Sequence, residues 1–212
     1  AAAMAGKTAV NLNFTTGRAG IESAARQAGL RTIVTSREFL EKAKIEWPSG
    51  VSLIFVEDEK AAITRAEKLA ATALALLAPI RWLERYAGAV RPPSIDDAAT
   101  IIFSSGSTGD PKGIVLSHYN IATNIESIRR AYRVLPEDRL AAILPFFHSF
   151  GYTMFWFACD SGMGSVFHPN PLETAAIGEL VERFKVTVLM ATPTFLQLYL
   201  RRCSPAQFGS LR

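Results

Sequence analysis

In the second half of the chain, short apolar runs alternate with longer stretches whose apolar residues recur at helical spacing. This alternation restricts the fold more than any other feature. Residues 140–144, 165–168 and 186–191 read as strands, and residues 152–159, 172–184 and 194–202 read as helices. A strand that returns to its sheet through a helix runs parallel to its predecessor, so the pattern predicts an α/β fold with mostly parallel strands alternating with helices. In the first half, residues 17–28 read as a helix, 30–35 and 51–56 as strands, and 58–78 as one long alanine-rich helix ending near Pro79. Arg91-Pro92-Pro93-Ser94 reads as a linker, and residues 88–98 form a candidate sub-boundary within a single domain spanning 1–212.

Composition fits one sizeable globular domain. The chain has 212 residues, 49% of them hydrophobic and 20% charged. Its net charge of +4 is spread along the chain, with the densest basic cluster at Arg129, Arg130 and Arg133. That cluster reads as a solvated helix face, and no nucleic-acid motif accompanies it. Two cysteines, Cys159 and Cys203, give no disulfide framework and fit a reducing, cytoplasmic compartment. Residues 1–5 lack the basic start and apolar core of a signal peptide. The longest apolar stretch, 69–80, falls short of the about 20 residues a membrane span needs. Both ends read as cuts, so the chain is expected to be a piece of a longer protein.

Between two short apolar strands, 101–103 and 114–116, lies the stretch Ser104-Ser105-Gly106-Ser107-Thr108-Gly109-Asp110-Pro111-Lys112-Gly113. Its four hydroxyls, three glycines and one lysine suit polyphosphate binding. Glycine lets the backbone approach a ligand closely, successive N–H groups form an anion nest, and Lys112 supplies a positive charge. The plainer alternative is a Ser/Gly-rich surface turn. A turn needs neither this length nor a lysine directly after proline. A Walker loop is a poorer description. Gly6-Lys7-Thr8 imitates its end, but Ala1 stands at the first glycine position and a strand-like stretch follows.

The stretch from Ser104 to Gly113 resembles the phosphate-loop signature of the adenylate-forming superfamily, which includes acyl-CoA synthetases, peptide-synthetase adenylation domains and luciferases. Every fixed position of that signature is met. The resemblance implies that Ser104, Ser105, Gly106, Ser107, Thr108, Gly109 and Lys112 bind the β- and γ-phosphates of ATP. It implies that the chain is a fragment of the large N-terminal domain of such an enzyme.

A second cluster is Leu144-Pro145-Phe146-Phe147-His148-Ser149-Phe150-Gly151. By itself His148 reads as a hydrogen-bonded core histidine. At this distance after the phosphate loop, the cluster is similar to the family's Pro-x-Phe-His-x-x-Gly motif. By that resemblance His148 places the substrate carboxylate near the α-phosphate and is not a general base. The aromatics Tyr152, Phe155, Trp156 and Phe157 read as core, with one or two facing an acyl tunnel. Thr192-Pro193-Thr194 is similar to the family's Pro-Thr segment beside the acyl pocket, and it equally suits a proline opening a helix. His118 and His168 lack metal-ligand spacing, and neither a serine-hydrolase elbow nor a dinucleotide fingerprint is present.

The family's later segments, which hold adenine, Mg²⁺ and ribose and supply a mobile-domain lysine, have no match in these residues. The resemblance therefore implies a chain inactive alone, with most Mg²⁺ ligands outside it. Val10-Asn11-Leu12-Asn13-Phe14-Thr15-Thr16-Gly17 lacks the prolines usual at this position. With Thr35-Ser36-Arg37-Glu38-Phe39-Leu40 it looks like the bacterial acyl-[acyl-carrier-protein] synthetases, often fused to a lysophosphatidylethanolamine acyltransferase. The implied reaction is activation of a fatty acid as acyl-adenylate, then transfer to the thiol of acyl carrier protein or CoA. Amino-acid or aryl-acid adenylation, or a non-catalytic nucleotide-binding module, are the alternatives. Residues 69–82 are compatible with peripheral association at the inner face of the cell membrane, and the plainer expectation is a helix packed on its own domain.

Overall fold

The computed structural model describes residues 2–45, 47–104 and 111–212. It divides into two compact units, one ending at His118 and the other running from Tyr119 to Arg212. The Arg91–Ser94 stretch lies inside the first unit, where Arg91 pairs with Asp97 and the Ser94 N–H donates to the same carboxylate at 2.7 Å.

The first unit contains β1 (Ala9–Asn11), α1 (Gly17–Gln27), β2 (Thr32–Thr35), α2 (Arg37–Ala43) and β3 (Ser52–Phe55). After them come α3 (Val56–Ala62), α4 (Arg65–Leu77), α5 (Ile80–Tyr86), β4 (Ala98–Ser104) and β5 (Lys112–Ser117). β4 is the centre of a three-stranded sheet in the order β1-β4-β5. β1 runs parallel to it, with Asn11 opposite Ile102, and β5 runs antiparallel. β2 and β3 form a separate parallel pair. In β2, Ile33 and Thr35 are buried while Val34 is exposed, the period-two alternation of a sheet with one covered face. α1 buries Ile21, Ala24 and Ala25, which recur at helical spacing.

The second unit takes in most of α6 (His118–Ala131), then β6 (Arg139–Ala142), α7 (Ser149–Ser161), β7 (Gly164–Phe167), α8 (Thr174–Phe184) and α9 (Pro193–Arg202). β6 and β7 pair in parallel. On one side of them, Ile143, Ile177, Val181, Val186 and Tyr199 form a core. A second cluster joins Ile125, Leu140, Met154, Phe157 and Met163. Each such fully buried apolar side chain contributes about 1.5–3 kcal/mol. On α6, Ile121, Ile125 and Ile128 face that second cluster as their spacing predicts, whereas Tyr132 is exposed.

The α/β architecture with mostly parallel pairings agrees with the alternation read from the sequence. Four details differ. The expected helix over 58–78 is two helices, α3 and α4. Thr64 is extended between them and forms a capping box with Glu67, whose carboxylate accepts from the Thr64 N–H at 2.8 Å. α5 is a separate helix beyond Pro79. The expected strand over 186–191 is reduced to a single parallel bridge between Leu140 and Val188. There the Thr187 hydroxyl accepts from the Arg139 N–H at 3.0 Å, so a side chain occupies a place that a ladder carbonyl would fill. Finally, residues 69–82 are not packed on their own domain: no residue of α4 or α5 is buried.

Candidate functional site

β4 carries buried Ala99, Thr100, Ile102 and Phe103 up to Ser104, where the hydroxyl-rich stretch begins. β5 starts at Lys112, so the last two residues of that stretch, Lys112 and Gly113, belong to the strand. Ser104 and Lys112 stand opposite each other in the antiparallel register, so the two ends of the phosphate-loop sequence meet at one edge of the sheet. Ser105, Gly106, Ser107, Thr108 and Gly109 lie outside the described residues. The pair at the base is held from three sides. Gln27 at the end of α1 donates through Nε2 to the Pro111 carbonyl oxygen at 2.8 Å. Pro111 is buried. Gly113 lies against the Phe103 ring: a Cβ there would be 3.0 Å from a ring carbon, tighter than ordinary van der Waals contact. Lys112 itself is exposed and has no ion-pair partner among the described residues. A lysine that follows a run of hydroxyls in the sequence suits the oxygens of a polyphosphate.

In the second unit, His148 sits at the N-cap of α7 in an extended conformation. Its N–H donates to the Pro145 carbonyl at 3.1 Å, and its own carbonyl accepts from Tyr152 at 3.0 Å. The main chain therefore holds the residue while its imidazole stays exposed, 4.6 Å from the Phe147 ring between centroids. It is not the core histidine that the isolated residue suggested. Gly151 makes this turn possible: any Cβ would collide with the Pro145 carbonyl oxygen and lie 2.7 Å from that of Leu144. Beside the turn, Phe146, Phe155 and Phe167 stack with centroids 5.1–6.3 Å apart. Phe146 and Phe167 remain substantially exposed, whereas Tyr152 and Phe157 are core. Pro193 is the first residue of α9, so Thr192-Pro193-Thr194 does open a helix.

Two structural contacts were not readable from the sequence. Gln27 meets Pro111 across 84 positions, and no local pattern marks it. Asp138, almost wholly buried, accepts from Arg212, from the Thr187 hydroxyl at 2.7 Å and from the Leu135 N–H at 2.8 Å. The Arg212 guanidinium above all, helped by those two donors and opposed by burial, holds its carboxyl down at about 2.

The comparisons with known proteins agree with this geometry. The family described as AMP-binding enzyme matches over residues 1–212. Long-chain-fatty-acid–CoA ligase 4 of Saccharomyces cerevisiae is 38% identical over 107 residues, which is 46% of this chain and 15% of that protein. The p-hydroxybenzoic acid–AMP ligase FadD22 of Mycobacterium tuberculosis is 32% identical over 128 residues, 59% of this chain and 18% of that protein. Among solved structures, O-succinylbenzoate coenzyme A synthetase (MenE) of Bacillus subtilis in complex with AMP superimposes with a TM-score of 0.73 at 21% identity. It covers 98% of this chain and 47% of its own. The same enzyme has been solved with ATP and a magnesium ion. At that identity the likeness establishes the fold, that of the N-terminal domain of adenylate-forming enzymes. This chain spans about half of the solved relative and a smaller share of the curated ones.

Proposed function

The chain belongs to the AMP-binding enzyme family, and from this we propose that the protein carrying it activates a fatty acid with ATP and passes the acyl group to a thiol. In the first step a carboxylate oxygen attacks the α-phosphorus of ATP, and the bond to pyrophosphate breaks. In the second step a thiol attacks the acyl carbon and expels AMP. The observation that carries the reading is the base of the loop. Ser104 and Lys112 face each other across the strand pair that frames the hydroxyl-rich stretch, and Lys112 has no ion-pair partner among the described residues.

In this reading Ser104, Ser105, Gly106, Ser107, Thr108, Gly109 and Lys112 hold the β- and γ-phosphates, and Lys112 offsets the charge that develops on departing pyrophosphate. His148, held by its main chain with an exposed ring, places the carboxylate and contributes orientation. Bound Mg²⁺ would neutralise further phosphate charge, from ligands mostly beyond these residues. The exposed aromatic group beside His148 and the name of the yeast relative support a fatty acid. The FadD22 relative favours a second reading, an aryl acid. The proline-free Val10–Gly17 segment supports acyl carrier protein over CoA as acceptor, and the reading places the enzyme in the cytoplasm.

The test is MgATP binding by the full-length protein, measured by calorimetry with and without Lys112→Ala. Removing a charged donor to phosphate lowers affinity roughly tenfold to a hundredfold. Unchanged affinity would remove the loop assignment and with it the reaction.

A further inference from the structure

Gln27, the last residue of α1, reaches the peptide unit that leads into Lys112. Its Nε2 donates to the Pro111 carbonyl oxygen at 2.8 Å and to the Ser23 hydroxyl oxygen at 3.1 Å. A carbonyl can only accept, so the NH₂ end of the amide must face Pro111. That nitrogen carries two hydrogens, and the two acceptors use both. Ser23 is buried one turn earlier on the same helix, and α1 is anchored through buried Ile21, Ala24 and Ala25. The donor is therefore fixed to a packed helix.

The place of this bond gives it leverage on Lys112. The Pro111 carbonyl and the Lys112 N–H belong to one planar peptide unit, so holding the oxygen sets the plane from which the Lys112 Cα leaves. Lys112 is the first residue of β5 and stands opposite Ser104 at the end of the ladder. Among the described residues β5 pairs with β4 alone. The last rung of an edge strand opens more easily than its middle, and Gln27 ties the chain just beyond that rung. We propose that Gln27 is a positioning residue for Lys112. It holds the lysine backbone so that the ammonium meets the polyphosphate, and it raises affinity for ATP without touching the nucleotide. This role rests on the reading of Lys112 as a phosphate ligand.

The test is calorimetry on the full-length protein with MgATP and with AMP, which lacks the β- and γ-phosphates. Gln27→Met keeps the side-chain length and removes the donor. Gln27 is exposed, so methionine fits without repacking. MgATP affinity should fall about threefold to fivefold, the range of one neutral hydrogen bond, while AMP affinity stays at the wild-type value. In a Lys112→Ala background, Gln27→Met should have no further effect, because the group that it positions is gone. Three results overturn the proposal: wild-type MgATP affinity in Gln27→Met, equal weakening of MgATP and AMP, or additive effects of the two substitutions. The second of these would make the bond merely structural. If Gln27→Met is silent while Lys112→Ala weakens MgATP, this role fails and the phosphate-loop reading stands. If Lys112→Ala is itself silent, both fail.

Discussion

Asp138 shows how one side chain fastens three segments of the second unit. Its carboxylate accepts from the Leu135 N–H ahead of β6, from Thr187 after α8, and from Arg212. Its folded pKa, at about 2, lies below that of an unfolded aspartate. Ionised Asp138 therefore stabilises the fold fully above the unfolded value, about 4. That stability is lost as pH falls from there through about 2. The shift corresponds to about 2 kcal/mol. Urea midpoints for the wild type should fall across that acid window. Asp138→Ala should cost about 3 kcal/mol at neutral pH, because the Leu135 and Thr187 donors lose their acceptor, and it should flatten the acid limb. An acid limb equally steep in the variant would assign the pH dependence to other carboxylates. The two residues proposed to meet substrate are held differently. Lys112 and His148 are exposed and fixed chiefly through their backbones, by register in one case and by the Pro145 carbonyl in the other.

At the scale of elements, legibility followed the range of the interaction. α1 and α8 were readable because an apolar face is written in the spacing of a dozen consecutive residues. The break between α3 and α4 was also written locally, as Thr64-Arg65-Ala66-Glu67, but continuous alanine-rich helix propensity masked it. The weakness of the 186–191 strand was not legible, since it depends on Thr187 bonding to Asp138 and Arg139 about 50 positions away. The same holds for Gln27, which donates to the Pro111 carbonyl 84 positions away. The stretch itself was legible as consecutive side chains, but its ends were not: the strands reach one residue further on one side, to Ser104, and two on the other, to Lys112. α4 is exposed along its length, so its stability rests on its own caps. Thr64→Ala should release about 1 kcal/mol of capping. Amide exchange within α4 should then quicken about fivefold while the global unfolding midpoint stays fixed. A drop in the global midpoint would show α4 to be coupled to the core.

Over the whole molecule, two α/β units carry the two halves of the chemistry proposed here. The first frames the hydroxyl-rich stretch and the second presents His148 beside an aromatic surface. The fold and the family are those of the adenylate-forming enzymes, and this chain covers about half of the solved MenE chain with AMP. Acid identity was not legible in the sequence, because selectivity depends on how side chains such as Phe146 and Phe167 close around a substrate. The central claim is formation of an acyl-adenylate, and it is tested most directly by carboxylate-dependent exchange of pyrophosphate into ATP. The full-length protein is given Mg²⁺ and a panel of fatty, aryl and amino acids. Fatty acids should drive the exchange, and Lys112→Ala should abolish it. Exchange driven only by an aryl or amino acid would contradict the substrate, and no exchange from a folded protein that binds MgATP would contradict the reaction itself.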